Sequence, residues 1–165
     1  GGGAPSIAFL PGKIGRTYSK ETLGLPTHRA VQIANFLGDA LDFMQQALIE
    51  QQSKLDTLWL LGHPGKLAKV LAGVWDTHSS KSDMAMAVVA DVASDLGFND
   101  ALVQTIAQAN TVEAIVDILK YDTNAPMLWR EIERRIAALV HERTSTVSRV
   151  EVRLFNLNGT ALGSA

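Results

Sequence analysis

Two histidines and two lysines able to bind or move charge fall within one short stretch, GHPGKLAKVLAGVWDTHS, from Gly62 to Ser79. It follows the apolar run Leu58-Trp59-Leu60-Leu61. Pro64 suits the first position of a helix, where its missing N–H costs little. The spacing therefore predicts a helix N-terminus with free N–H groups at Gly65 and Lys66 beside a cation. Such an end attracts carboxylate or phosphate. It is not a nucleotide phosphate loop, because only two residues separate Gly62 from Gly65 and Leu67 follows Lys66. A plain strand-to-helix turn is the competing reading. An imidazole whose ordinary titration lies near neutrality adds acid–base capacity at His78.

Thr77-His78-Ser79 closes the stretch and reads either as part of the site or as an inter-helix loop, with Ser79 or Ser80 capping the next helix. His63 and His78 stand fifteen residues apart with no third ligand at metal spacing, so no protein-bound metal is expected. Ser79, His78 and Asp83 contain the residue types of a hydrolytic triad, but no nucleophile elbow accompanies them. Two other places carry unusual residues. Pro11-Gly12-Lys13-Ile14-Gly15 lacks the spacing of a dinucleotide fingerprint and is either a tight turn or a site loop. Asn35 either caps a helix or faces a ligand.

The elements that would position these groups follow from periodicity. Ile7–Leu10, Val31–Ala34 and Leu58–Leu61 are short apolar runs bounded by turn residues, and read as buried strands. A short helix is expected over Gly15–Leu23, stopped by Gly24 and Pro26. Leu37, Leu41, Met44 and Leu48 recur at helical spacing, so a helix should run from Phe36 to about Gln52. Further helices are expected over Pro64–Trp75, Ser82–Leu96, Asp100–Ala109 and Thr111–Tyr121. A longer one opens at Pro126, with Leu128, Ile132, Ile136, Leu139 and Val140 on one face. The alternation in Val150–Phe155 predicts a strand with one solvated face, at a sheet edge, before a turn at Asn158-Gly159. The order β-α-β-α-β, several helices, then β, predicts an α/β fold: a parallel sheet with helices on both faces and a multi-helix insertion before the last strand. In such sheets ligands bind beyond the carboxyl ends of the strands, which places Gly12, Asn35 and Gly62–Lys66 on one edge.

The chain has 165 residues, 47% hydrophobic and 19% charged, with a formal charge of −2. That balance offers no basic footprint for nucleic acid. No apolar stretch approaches the roughly 20 residues that span a bilayer, and no membrane partner is expected. The absence of cysteine removes disulfides, thiolate metal sites and cysteine nucleophiles, and fits a cytoplasmic setting. Gly1–Gly3 reads as a flexible start or linker through residue 4, and the lack of an initiator Met suggests a piece of a longer protein.

VQIANFLGDAL (Val31–Leu41) and GHPGKLAKVLAGVWDTHS resemble signature segments of the CbiD family, the cobalt-precorrin-5B methyltransferases of anaerobic cobalamin biosynthesis. FLPGKIGRTYSKETLGLP (Phe9–Pro26) and VEVRLFNLNGTALG (Val150–Gly163) are similar to its flanking segments, so the likeness runs almost end to end. The resemblance implies a transferase that uses S-adenosylmethionine to methylate carbon 1 of a cobalt-corrinoid, with cobalt carried by the substrate. It implies a four-stranded sheet in order 2-1-3-4, and a two-domain protein of which residues 5–165 are the C-terminal α/β domain. The N-terminal α+β domain would be absent from this chain, and the isolated domain inactive. A homo-oligomer stays open. Residues carried over are Gln32, Asn35, Gly38, Gly62, His63, Gly65, Lys66, Gly73, Thr77, His78, Ser79 and Asp83. His63 and His78 are the expected catalytic groups, and Gly12, Gly15, Gln32, Asn35, Gly62, Gly65, Lys66, Thr77, Ser79 and Asp83 are expected to bind substrate or cofactor. Ser80 stands where arginine is common, and Ala85 and Ala87 where a charged pair is common. A non-catalytic binding or assembly domain, or an unrelated α/β cofactor-binding domain, is the alternative.

Overall fold

A computed structural model describes residues 5–76 and 82–163, without the side chains of residues 82 and 83. The expected linker at residues 1–4, Thr77-His78-Ser79 and the Asp83 side chain lie outside the described residues. Four parallel strands form one sheet in the order β2-β1-β3-β4. They are β1 (Ser6–Leu10), β2 (Ala30–Gln32), β3 (Leu55–Gly62) and β4 (Val147–Leu154). β3 is central because its apolar residues can be covered on both faces. Ile7 and Phe9 of β1 sit beside Leu58 and Leu60, and these sit beside Val150 and Val152 of β4.

The helices are α1 (Leu37–Glu50), α2 (Pro64–Leu67), α3 (Ser82–Asp95), α4 (Asp100–Ala107), α5 (Val112–Leu119) and α6 (Ala125–Arg143). α2 to α6 form the expected insertion between β3 and β4. One face of the sheet carries the main core, where Phe9, Leu58, Leu60 and Val152 meet Leu41 of α1, Val89 of α3, Ile115 of α5 and Ile132 and Ile136 of α6. Ala85 belongs to this core, so a charge at that position would be buried. The opposite face has a thinner cover: a π-helical turn, Tyr18–Thr22, and the turn after β4. There Tyr18 packs edge-on against Phe155 at 5.3 Å and Trp59 at 6.4 Å.

Four elements differ from expectation. β2 stops at Gln32, not Ala34, because Ala34 takes a left-handed φ of 49° to turn the chain into α1. β3 and β4 each start three residues earlier than their apolar runs, and Leu55 pairs with Val147. The helix expected over Pro64–Trp75 is α2 followed by a tighter 3-10 segment, Ala68–Ala72. Gly73, at φ 79°, ends it in the left-handed region glycine accepts without strain.

That early stop brings Trp75 against α1. The Gly38 N–H donates to the Trp75 carbonyl at 3.2 Å, and Phe36 bridges Asp76. A Cβ on Gly38 would lie 3.0 Å from the Trp75 Cβ, so glycine is what lets the two chains approach. Arg143, at the end of α6, lies over the Trp75 ring at 4.6 Å and pairs with Asp42 at 3.0 Å. The backbone leading to residue 77 is thus clamped between α1 and α6.

Candidate anion-binding site

The carboxyl ends of the strands converge. In the order 2-1-3-4 the chain leaves β1 toward β2 on one side and takes up β3 on the other, which opens a crevice between β1 and β3. A cavity of about 430 Å³ lies there, walled by Pro11–Ile14 after β1, Asn35 after β2, and Gly62, His63, Gly65, Lys66 and Lys69 after β3. Leu157, after β4, closes the rim. Close packing needs small residues in this wall: a Cβ on Gly62 would lie 3.2 Å from Pro11 Cδ.

Lysines 13, 66 and 69 line the cavity, and among the described residues none of its lining side chains is acidic. Lys66 Nζ donates to the Pro11 carbonyl at 3.3 Å, which draws the ammonium across from the β3 wall to the β1 wall. Lys69 is only 2% exposed. Burial holds its pKa below the ordinary lysine value, repulsion from Lys66 adds to this, and Asp76 opposes it. A negative ligand entering here would favour the charged form of the lysine.

The expected free N–H groups are not free to meet a ligand. His63 caps α2 itself: its Nδ1 accepts the Gly65 N–H at 2.9 Å, and its carbonyl accepts the Lys66 N–H at 3.1 Å. With Pro64 lacking a donor, the first turn satisfies itself within the chain. Positive charge comes instead from the lysine ammonium groups. On the far side of the ring, His63 Nε2 lies 2.6 Å from Glu113 Oε2.

Of the expected site residues, the fold brings Gly12, Asn35, Gly62, His63, Gly65 and Lys66 to the cavity. Asn35 lines it and does not cap α1, whose N-cap is Phe36. Gln32 stands just outside, its Nε2 donating to the Gly12 carbonyl at 3.4 Å. Gly15 is not on the wall; it packs on β3, where a Cβ would lie 2.8 Å from Leu61 Cβ, at a φ of 99°. Sequence reasoning counted Lys69 in the Gly62–Ser79 stretch without placing it at the site, and missed Glu113. Lys69 stands three residues after Lys66, a helical-neighbour spacing that was legible. Glu113 lies fifty residues from His63, and no local pattern joins them.

Gly65→Ala tests the cap. Its Cβ would fall 2.9 Å from His63 Nδ1, so the ring must swing away from the Gly65 N–H. The expected loss is about 1 kcal/mol of stability, the usual value of an N-cap, read from the urea midpoint.

Among the described residues, no helix is long and apolar enough to cross a membrane, and no group of three His, Cys, Asp or Glu side chains could hold a metal ion. Fold and cavity define a parallel α/β domain of the doubly wound type with a cationic crevice at its strand ends. Residues 76–165 match the family described as CbiD, C-terminal domain, and the chain belongs to that family. It is 58% identical over 161 residues to the cobalt-precorrin-5B C(1)-methyltransferase of Chromobacterium violaceum, covering 98% of this chain. It is 57% identical over 165 residues to the protein of that name from Ralstonia nicotianae, and 30% over 161 residues to that from Moorella thermoacetica. The chain spans 43% of the length of the first two and 42% of the third. No solved structure matches it.

Proposed function

We propose that the chain is the C-terminal α/β domain of a two-domain cytoplasmic enzyme that methylates carbon 1 of cobalt-precorrin-5B, an α+β domain preceding it in the full-length polypeptide. In this reading the cavity holds carboxylate arms of the tetrapyrrole. The observation that carries it is the trio Lys13, Lys66 and Lys69, in a wall that among the described residues holds no acid. Several carboxylates on one substrate complement several ammonium groups in one crevice, and charge-assisted contacts are the strong ones.

The same trio does not fit the methyl donor. S-adenosylmethionine would supply an electrophilic methyl group on a positively charged sulfur, and with its ammonium and single carboxylate it is cationic overall. Three lysines oppose such a ligand, so the donor is assigned to a place outside this cavity. What this domain contributes is alignment: it fixes the acceptor's periphery so that the reacting carbon is presented in line. Asp76, close enough for its charge to act on Lys69, immediately precedes Thr77-His78-Ser79. His78 is proposed to orient the acceptor or move a proton, and Ser79 and Asp83 to bind substrate or cofactor.

Calorimetric titration separates the readings. A carboxylated cobalt-corrinoid is expected to bind, to weaken as salt rises, and to be unaffected by S-adenosylmethionine. Competition between the two would put the donor in the cavity and overturn the assignment. Binding of neither, by domain or full-length protein, would favour an assembly role.

A further inference from the structure

We propose that Glu113 is a positioning residue of the cavity: it holds His63 in the tautomer that carries its hydrogen on Nε2, leaving Nδ1 to accept the Gly65 N–H and keep the β3 wall in place. The inference deepens the reading above, on which only its consequence for ligand binding rests.

The hydrogen bonds determine the tautomer. A backbone N–H can only donate, so Nδ1, 2.9 Å from the Gly65 nitrogen, must present its lone pair. A neutral imidazole with a bare Nδ1 carries its hydrogen on Nε2. Glu113 Oε2 waits there at 2.6 Å, the short separation of a charge-assisted bond. An imidazolium would place a hydrogen on Nδ1 facing the Gly65 N–H, donor against donor. Both ring nitrogens are thus committed inside the protein, and His63 orients the wall; it does not transfer protons.

Glu113 is itself well held. It lies in the first turn of α5, where Thr111 Oγ1 accepts the Ala114 N–H at 3.0 Å and the helix end favours a carboxylate. Its second oxygen faces the Leu157 N–H at 3.5 Å, at the limit of a hydrogen bond. One carboxylate therefore touches His63 on the β3 wall and the rim segment after β4. No other acidic side chain is recorded within bonding distance of His63 among the described residues.

Imidazole nitrogen NMR on histidine-labelled protein reads the tautomer directly. The chain has four histidines, and a His63→Gln sample assigns the signal. The wild-type ring is expected with hydrogen on Nε2 and a bare Nδ1. Glu113→Gln keeps a carbonyl acceptor and should keep that tautomer, and with it the affinity for citrate used as a tricarboxylate probe. Glu113→Ala should give a mixture of tautomers and about five- to tenfold weaker citrate binding. Hydrogen on Nδ1 in the wild type, an unaltered tautomer in Glu113→Ala, or an altered one in Glu113→Gln each overturns the proposal. If the alanine variant fails to fold, the wild-type and glutamine samples still decide. Failure of the full-length enzyme to methylate cobalt-precorrin-5B would remove the methyltransferase reading and leave the tautomer result standing.

Discussion

Lys66→Ala, introduced into the full-length polypeptide, is expected to raise KM for the carboxylated tetrapyrrole roughly 10- to 100-fold while kcat stays within about twofold. The size follows from the bond removed. A hydrogen bond to a charged partner contributes about 1.5–3 kcal/mol, and each 1.4 kcal/mol is about tenfold in affinity. Lys66 Nζ is already anchored on the Pro11 carbonyl, so little side-chain freedom remains to be lost when a carboxylate arrives. That preorganisation raises what Lys66 contributes, so its loss should reach the stated range. Lys69 stays in the wall when Lys66 is removed and keeps part of the attraction. A Lys66→Ala/Lys69→Met double variant should therefore lose more than the single one. The parameter affected is as informative as the size. Contacts to peripheral carboxylates are the same in ground and transition states, so they act on KM. A fall in kcat at unchanged KM would move Lys66 to the reacting centre and discard its role as a carboxylate anchor.

The convergence of strand ends was legible because it depends on topology and not on side-chain detail. Once β1, β2 and β3 are read as parallel, Gly12, Asn35 and Gly62 must share an edge, and they do. What failed was residue-type reasoning about caps. Asn35 is a favoured capping residue and lines the cavity, while His63 is not a usual one and caps α2. The cause is tertiary: Ala34 turns left-handed and commits Asn35 to the crevice, and Glu113, distant in sequence, fixes the ring that caps. The strand ends missed in β3 and β4 have the same origin. Asp56-Thr57 and Ser148-Arg149 are polar stretches that look like loop, yet they pair because the apolar centres of both strands carry them into register, Thr57 opposite Arg149. In the Gly62–Ser79 stretch, Gly73 was the readable clue that one helix could not run through to Trp75.

Stability should fall by about 3 kcal/mol as pH rises from about 4.5 to about 7.5, and Glu133→Gln should abolish that fall. Glu133, on α6, is 7% exposed. Burial pushes its carboxyl from 4.5 up to about 7, opposed by the Leu154 N–H that it accepts at 2.8 Å and by the charges of Arg153 and Arg130, with Glu151 pushing the same way as burial. The sign follows from proton counts. Between the unfolded and folded values the folded chain holds a proton that the unfolded chain has released, so unfolding becomes easier as pH rises. The stabilisation is complete below the unfolded value and lost as pH passes the folded one. The cost is tolerated because β4 is an edge strand whose outward amides need partners. Glu133 takes the Leu154 N–H, Arg153 covers the Val152 carbonyl at 2.8 Å, and the turn after β4 folds back to give the Leu154 carbonyl the Leu162 N–H at 2.9 Å. Gly163 closes the arrangement, since a Cβ there would lie 2.6 Å from Glu133 Oε1. Glutamine keeps a carbonyl to accept the Leu154 N–H and cannot ionise. Its urea midpoint should therefore exceed the wild type's at pH 8 and converge toward it at pH 4.5. Parallel pH profiles for the two proteins would show that Glu133 titrates alike in the folded and unfolded chains and that the buried carboxyl does not set this dependence.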